Sequence, residues 1–374
     1  MANLLAVNWR DLRNPDAGGA EVHLHEIITR LAANGHDVTL LAAGFPGGKP
    51  DETYDGIRVI RRGHWYDANY VLPMHVRSYL KHHAVDLIIE DINKIPFFLP
   101  AMTKTKVLPV IPHLFGGTVF RETNFLFASY VYLWEQLIPA VYRKCRFAVI
   151  SPSTKDDLVS RGISADQIDV VLCGLDHSVY RRIANLDRYT EPTIIHFGRI
   201  RKYKSVDVVI RAFQLIRREL PTARLLIVGD GPEKPELERL VEQMGMSESI
   251  RFLGVLKTEE LVTVLNQVHL FINASPKEGW GLTVVEANAC GVPVVASNRP
   301  GLCDSVKDGE TGHLVEYGDP EVFARKSLEL LGDGDVWASM SDSAIEWARS
   351  LTWERTAEEM ETIILDEIGL QTTR

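Results

Sequence analysis

Short runs of aliphatic and β-branched residues recur along the chain, each followed by a longer stretch in which apolar positions return every three to four residues. Unbroken apolar runs suit strands buried on both faces, and the three-to-four spacing marks one side of a helix. In the first half the pattern predicts strands at Leu4–Asn8, Asp37–Leu41, Arg58–Arg61, Leu87–Glu90, Val107–Ile111, Phe147–Ile150 and Asp169–Leu172. A helix is expected over Ala20–Ala33, where Val22, Ile27, Ile28 and Leu31 share a face. In the second half strands are expected at Thr193–Phe197, Arg224–Val228, Arg251–Leu253, Leu270–Ile272 and Pro293–Ala296. Helical periods at Val206–Leu220 and Glu259–Val268 fall between them. Helices dominate Glu321–Ile368, with Trp353, Ala357 and Met360 at helical spacing.

Strands alternating with helices, twice over, predict an α/β protein with two doubly wound parallel sheets. The break falls in the polar stretch Ser178–Pro192, which gives domains of 1–180 and 181–350 and a C-terminal helix over 351–374. Ligands in such folds bind beyond the carboxyl ends of the strands, so the residues just after strands are where chemistry is expected.

The 374 residues are ample for two cores, at 45% apolar and 24% charged residues. The formal charge of −9 is uneven. Residues 1–185 hold 20 basic and 19 acidic side chains, and residues 186–374 hold 21 and 31. An acidic chain argues against nucleic acid as partner, and its first half is the part less repelled by anionic surfaces. The four cysteines form no Cys-x-x-Cys pair, which reads as a reducing compartment without a zinc site. No leader pattern and no membrane-length apolar run are seen, so a cytoplasmic protein is expected.

Four segments carry candidate chemistry. Gly18 and Gly19 in AGGAEVH open the first helix, where free N–H groups favour an anion; a simple glycine turn is the competing reading, and Glu21 and His23 could equally be solvated. FGRIRKYK (Phe197–Lys204) follows the first strand of the second half and places four cations where a diphosphate would be held, against the plainer reading of a solvated basic loop. SPKEGWGLTVVEA (Ser275–Ala287) is the strongest: Gly279 and Gly281 free a helix start, and Glu278 and Glu286 can accept sugar hydroxyls. His113 in Ile111-Pro112-His113 ends a buried strand and could serve at neutral pH or be merely structural. Gly229-Asp230-Gly231 lacks the third glycine of a dinucleotide fingerprint and reads as a turn. Asp333-Gly334-Asp335, far from any strand end, reads as a solvated turn and not as a metal motif.

Together these residues resemble the retaining glycosyltransferases of family 4, which have the GT-B fold: two Rossmann-like domains facing a central cleft. The resemblance rests on Glu278-x7-Glu286 in EGWGLTVVEANACGVPVVAS, with GRIRKYK (Gly198–Lys204), VLCGLD (Val171–Asp176) and GGAE (Gly18–Glu21) in the family's order. It implies that a nucleoside diphosphate sugar, a UDP- or GDP-sugar, is the donor, with no obligatory metal or other cofactor. Arg199 and Lys204 would hold its diphosphate. The backbone of Gly279, Trp280, Gly281, Leu282 and Thr283 would hold the sugar and distal phosphate, and Glu286 the ribose. Gly18 and Gly19 would reach the phosphates. Glu278 and His113 would be catalytic, near the reacting face and the acceptor. The chain departs from the pattern in Ser205 where glycine is usual, Trp280 where phenylalanine is commonest and Asp304 where glutamate is frequent.

The implied acceptor is a hydroxyl on a glycan or a lipid-linked glycan, as in envelope glycan, polysaccharide or glycolipid synthesis. The aromatic segment 118–146, which ends in Arg143, Lys144 and Arg146, is a candidate peripheral membrane contact; the plainer reading, slightly favoured, is a core helix with a basic last turn. A nucleotide-sugar isomerase of the same fold and a non-catalytic nucleotide-sugar-binding protein are the alternatives.

Overall fold

The computed structural model describes residues 1–93, 95–121 and 124–370. The chain forms two compact units, Met1–Gly174 with the chain from Trp353 onward, and Leu175–Thr352.

The first unit contains β1 (Asn3–Val7), α1 (Gly19–Ala33), β2 (Asp37–Gly44), β3 (Asp51–Tyr54), β4 (Ile57–His64), α2 (Ala68–Tyr79), β5 (Leu87–Asp91), β6 (Lys106–Ile111), α3 (Phe125–Glu135), α4 (Ile138–Val141), β7 (Phe147–Val149), α5 (Pro152–Ser160) and β8 (Ile168–Val170). Its eight strands run in the order β3-β4-β2-β1-β5-β6-β7-β8, parallel throughout except for the antiparallel edge pair β3–β4. The second unit contains β9 (Thr193–Phe197), α6 (Val206–Glu219), β10 (Arg224–Val228), α7 (Lys234–Gln243), β11 (Ile250–Gly254), α8 (Thr258–Gln267), β12 (Leu270–Asn273), α9 (Leu282–Ala289), β13 (Val294–Ser297), α10 (Leu302–Ser305), β14 (Gly312–Val315), α11 (Pro320–Gly332) and α12 (Gly334–Arg349). Its six strands are parallel in the order β11-β10-β9-β12-β13-β14.

Each sheet is covered by helices on both faces, so its strands are buried on both sides and read as apolar runs. Strand β3 escapes that reading. Its sequence is Asp-Glu-Thr-Tyr, and as an edge strand it buries only Tyr54. Asp333 Oδ1 accepts the N–H groups of Asp335 and Val336, so the Asp-Gly-Asp turn is the cap of α12.

Residues 175–192 carry no helix or strand, yet they belong to the second unit. Tyr180, Ile183 and Tyr189 pack on its core, Arg182 Nη1 donates to Asn266 O at 2.7 Å, and Arg188 Nη2 donates to Gly291 O at 2.7 Å. The chain therefore passes between units at Gly174/Leu175 and Thr352/Trp353, a few residues from the 180/181 and 350/351 edges expected from polarity alone. The last helix, α13 (Trp353–Ile368), packs in the first unit. Met360, Ile363 and Ile364 enter the core beneath β1 and α1, Glu354 meets Arg30 at 2.8 Å, and Glu361 meets His36 at 2.9 Å.

Candidate functional site

In the second sheet the chain runs outward from β9 to β11, then returns to place β12 on the other side of β9. The loops after β9 and β12 therefore flank a topological switch point, the standard ligand position of an open parallel sheet. The loop after β9 is the basic segment, and the loop after β12 carries Glu278.

An ion pair joins these loops. Lys204 Nζ lies 2.5 Å from Glu278 Oε1, with both side chains only 14% exposed. Arg199 is exposed, whereas Arg201 and Lys202 line a separate groove with Arg211 and Glu236 between α6 and α7. Arg201 and Lys202 thus lie apart from the Lys204–Glu278 pair, and the fully buried Ile200 anchors the loop between the strand and these cations.

Backbone strain and close approach shape the basic loop. Ser205 has φ +50° at the start of α6, and its hydroxyl lies 3.3 Å from that of Tyr317. This left-handed conformation is the physical reason glycine suits the position. Gly229 and Gly231, read above as a plain turn, are instead a backbone crossing under this loop. A Cβ on Gly229 would stand 1.9 Å from Gly198 O, and one on Gly231 would stand 2.1 Å from Ile200 O.

The Glu278 loop is held just as closely. Glu278 N donates to Pro300 O at 3.0 Å, and a Cβ on Gly301 would meet Glu278 O at 2.3 Å. Asp304 Oδ2 accepts Gly301 N at 3.2 Å, so the shorter acid suffices in that role. Gly281, with φ +90°, caps α9, and the space of its absent Cβ is occupied by Ser305 Oγ. The first-turn N–H groups that follow, at Leu282 and Thr283, have no intrahelical acceptor. Trp280 is 2% exposed and its ring lies 6.5 Å from that of Trp347, so its side chain is core and only its backbone can meet a ligand.

Glu286 lies in α9, half-buried with its carboxyl enclosed. Burial pushes its pKa up to about 7, although a hydrogen bond with Tyr180 pulls the other way. Tyr180 is thus a partner of Glu286 that the sequence did not disclose. His196, on β9, is buried: Ile272 O can only accept, so Nδ1 donates to it at 2.9 Å, and burial lowers the imidazole's pKa to about 4.

In the first unit Gly18 and Gly19 stand where expected, at the start of α1. Glu21 and His23 are not solvated. Glu21 is buried and accepts Gly18 N at 2.7 Å, with Asn93 Nδ2 3.4 Å away. His23 is buried, its pKa lowered to about 4 by that burial, and its ring lies 6.0 Å from Trp353. The loop before α1 is anchored by Asp11, which Arg61 Nε meets at 2.6 Å and Tyr54 OH at 3.1 Å. Burial opposes the charge on Asp11, but the Arg61 guanidinium outweighs it and lowers the pKa. His113 follows β6, half-buried, its ring 4.9 Å from Phe115.

In the aromatic segment, Glu122 and Thr123 lie outside the described residues. The rest departs from a core helix. Helix α3 buries only Ala128, Val131 and Glu135, while Phe125, Leu126 and Leu133 are exposed.

Comparison with known proteins agrees with this architecture. Residues 17–179 match Glycosyltransferase Family 4, and residues 181–347 match Glycosyl transferases group 1. The chain is 34% identical over 178 residues to N-acetyl-alpha-D-glucosaminyl L-malate synthase of Bacillus anthracis, a match covering 47% of this chain and 46% of that protein. It is 37% identical over 212 residues to D-inositol 3-phosphate glycosyltransferase of Nocardia farcinica, covering 53% and 47%. Both matches span about half the length of the relative. A further D-inositol 3-phosphate glycosyltransferase, from Paenarthrobacter aurescens, is 26% identical over 91% of each chain. Among solved structures, sucrose-phosphate synthase of Thermosynechococcus elongatus superposes with a TM-score of 0.82 at 21% identity, over 99% of this chain and 100% of that one. Anabaena HepE in complex with UDP-glucose superposes with a TM-score of 0.75 at 17% identity, over 98% and 100%. At these identities the likeness is one of fold.

Proposed function

Because the chain belongs to the family 4 glycosyltransferases and has their GT-B fold, we propose that it moves a hexosyl group from a nucleoside diphosphate sugar to a hydroxyl acceptor, with retention at the anomeric carbon. The observation that carries this reading is the Lys204–Glu278 pair, 2.5 Å apart at the switch point of the second sheet. Donor binding exchanges that bond: Lys204 turns to the diphosphate and Glu278 to the sugar. Glu286 accepts the ribose hydroxyls, with Tyr180 fixing its carboxyl. The backbone from Gly279 to Thr283 holds the sugar and the distal phosphate.

As the bond from the anomeric carbon to the phosphate oxygen breaks, charge builds on the leaving diphosphate. Arg199, Lys204 and the first turn of α9 stabilise it, so no metal is obligatory. The acceptor oxygen bonds to the anomeric carbon on the same face, and its proton passes to the departing phosphate oxygen. Gly18 and Gly19 contact the phosphates, and His113 the acceptor. The donor is a UDP- or GDP-sugar; the complex of Anabaena HepE with UDP-glucose supports that class. The acceptor is a glycan or a lipid-linked glycan presented at the cytoplasmic face of a membrane.

The test is a panel of nucleotide sugars, with and without EDTA, in which released nucleoside diphosphate is measured. One donor should be hydrolysed slowly in EDTA, and Glu286→Ala should weaken that turnover. Failure to bind any nucleotide sugar would overturn the proposal. Conversion of donor to an isomer without free diphosphate would assign an isomerase, and binding without turnover a sensor.

A further inference from the structure

Helices α2 and α3 of the first unit share an outer face of unusual composition. On α3, Phe125 is 74%, Leu126 81% and Leu133 63% exposed. On and before α2, Trp65, Tyr70 and Met74 are exposed to 63–67%. The two helices adjoin, since the hydroxyls of Tyr70 and Tyr130 lie 3.4 Å apart. Six large apolar side chains in one region exceed the single exposed residues that any soluble surface carries.

The charges around this face are one-sided. The one carboxylate of α3, Glu135, is turned inward and fully buried, where it accepts Phe115 N at 2.7 Å and Gly116 N at 2.8 Å. No charged side chain therefore remains on the outside of α3. Arg77 lies one turn beyond Met74 on α2, and Lys81 follows that helix. The chain runs from α3 through α4 into Arg143 and Lys144; all four of these cations are exposed. The one carboxylate besides Glu135 in residues 64–83 and 124–144 is Asp67, half-buried and accepting His64 N at 2.6 Å.

We propose that this face lies on an anionic lipid bilayer, with Phe125, Leu126 and Leu133 among the acyl chains, Trp65 and Tyr70 at headgroup level, and the four cations on lipid phosphates. A surface rich in aromatic side chains, with no fully exposed acid in residues 64–83 and 124–144 and with exposed arginine and lysine on the same segments, matches an anionic interface. A second protein copy would place these like-charged borders against each other. Among the described residues no helix is long and apolar enough to cross a membrane, and α3 has 11 residues, so the contact lies in the plane of the interface. The inference deepens the membrane-side acceptor proposed above, but it is read without donor or turnover, so the two fail separately.

The experiment is co-sedimentation of the whole protein with phosphatidylcholine vesicles, with and without one quarter phosphatidylglycerol. Binding should need the anionic lipid and weaken in high salt. Leu126→Asp should lower the partition coefficient at least about tenfold, and Arg143→Glu with Lys144→Glu by about tenfold or more. Both sites are exposed, so the melting temperature should not move, and circular dichroism checks that. Absence of binding to the anionic vesicles would overturn the proposal. A dimer in light scattering that Leu126→Asp dissolves, without vesicle binding, would assign the face to a second copy instead.

Discussion

Glu286 gives the sharpest expectation at the scale of one residue. Its pKa is raised from 4.5 to about 7 by burial, against the hydrogen bond from Tyr180. Hydroxyls donate more strongly to a charged carboxylate than to a neutral acid. Nucleotide affinity should therefore rise as pH goes from about 6 to 8, and Glu286→Gln should flatten that rise relative to wild type. Calorimetric titration with UDP and GDP at several pH values checks it, and equal slopes in the two proteins would remove Glu286 from the ribose site. Stability runs the opposite way. The folded state holds this proton more tightly than the unfolded state between pH 4.5 and about 7, so the group's contribution falls as pH rises through that window. Legibility at this scale follows contact distance along the chain. Glu278 and Glu286 share one short segment with its glycines and stand out there. Tyr180 and Gly301 act on them from remote segments, and nothing local marks either.

At the scale of elements, periodicity disclosed the buried parallel strands because both their faces are apolar. It did not disclose β3, whose polar residues are held by ion pairs of Glu52 with Arg61 and Arg13 and of Asp51 with Arg62, or the edge strand β14, Gly-His-Leu-Val, which is only half-buried at its centre. It also misjudged α3, which is apolar all round, a pattern that ordinarily means burial. Strand ends matter most for the site, and there the glycines after β10 have a stronger role than a turn. Gly229→Ala should cost about 2–4 kcal/mol in urea unfolding, because its Cβ would fall 1.9 Å from Gly198 O at a φ of +130°. Any structure that survives should carry a displaced basic loop and a higher donor KM. A neutral Gly229→Ala would mean that the crossing is looser than described. Gly245→Ala is the control, since its φ is also positive but no atom lies within 4 Å of the added carbon.

At the scale of the whole molecule, the second unit is one continuous stretch inserted within the first. The last helix completes the first unit's core through Met360 and Ile364, both almost fully buried. Ile364→Asp should therefore cost more than about 3 kcal/mol and loosen the first unit, while UDP binding by the second unit persists. Limited proteolysis alongside nucleotide titration separates these readouts, and equal loss in both would show the units to be one cooperative block. The same insertion sets an order of events on the ribosome. The second unit can close as soon as its own residues have emerged. The first, although begun earlier, must wait for α13, which is made only after the whole of the second unit. At synthesis rates of roughly 5–20 residues per second that delay is roughly 10–40 s. During it the groove that receives α13, with Leu24, Ile28 and the buried imidazole of His23, stays open to chaperones and to neighbouring nascent chains.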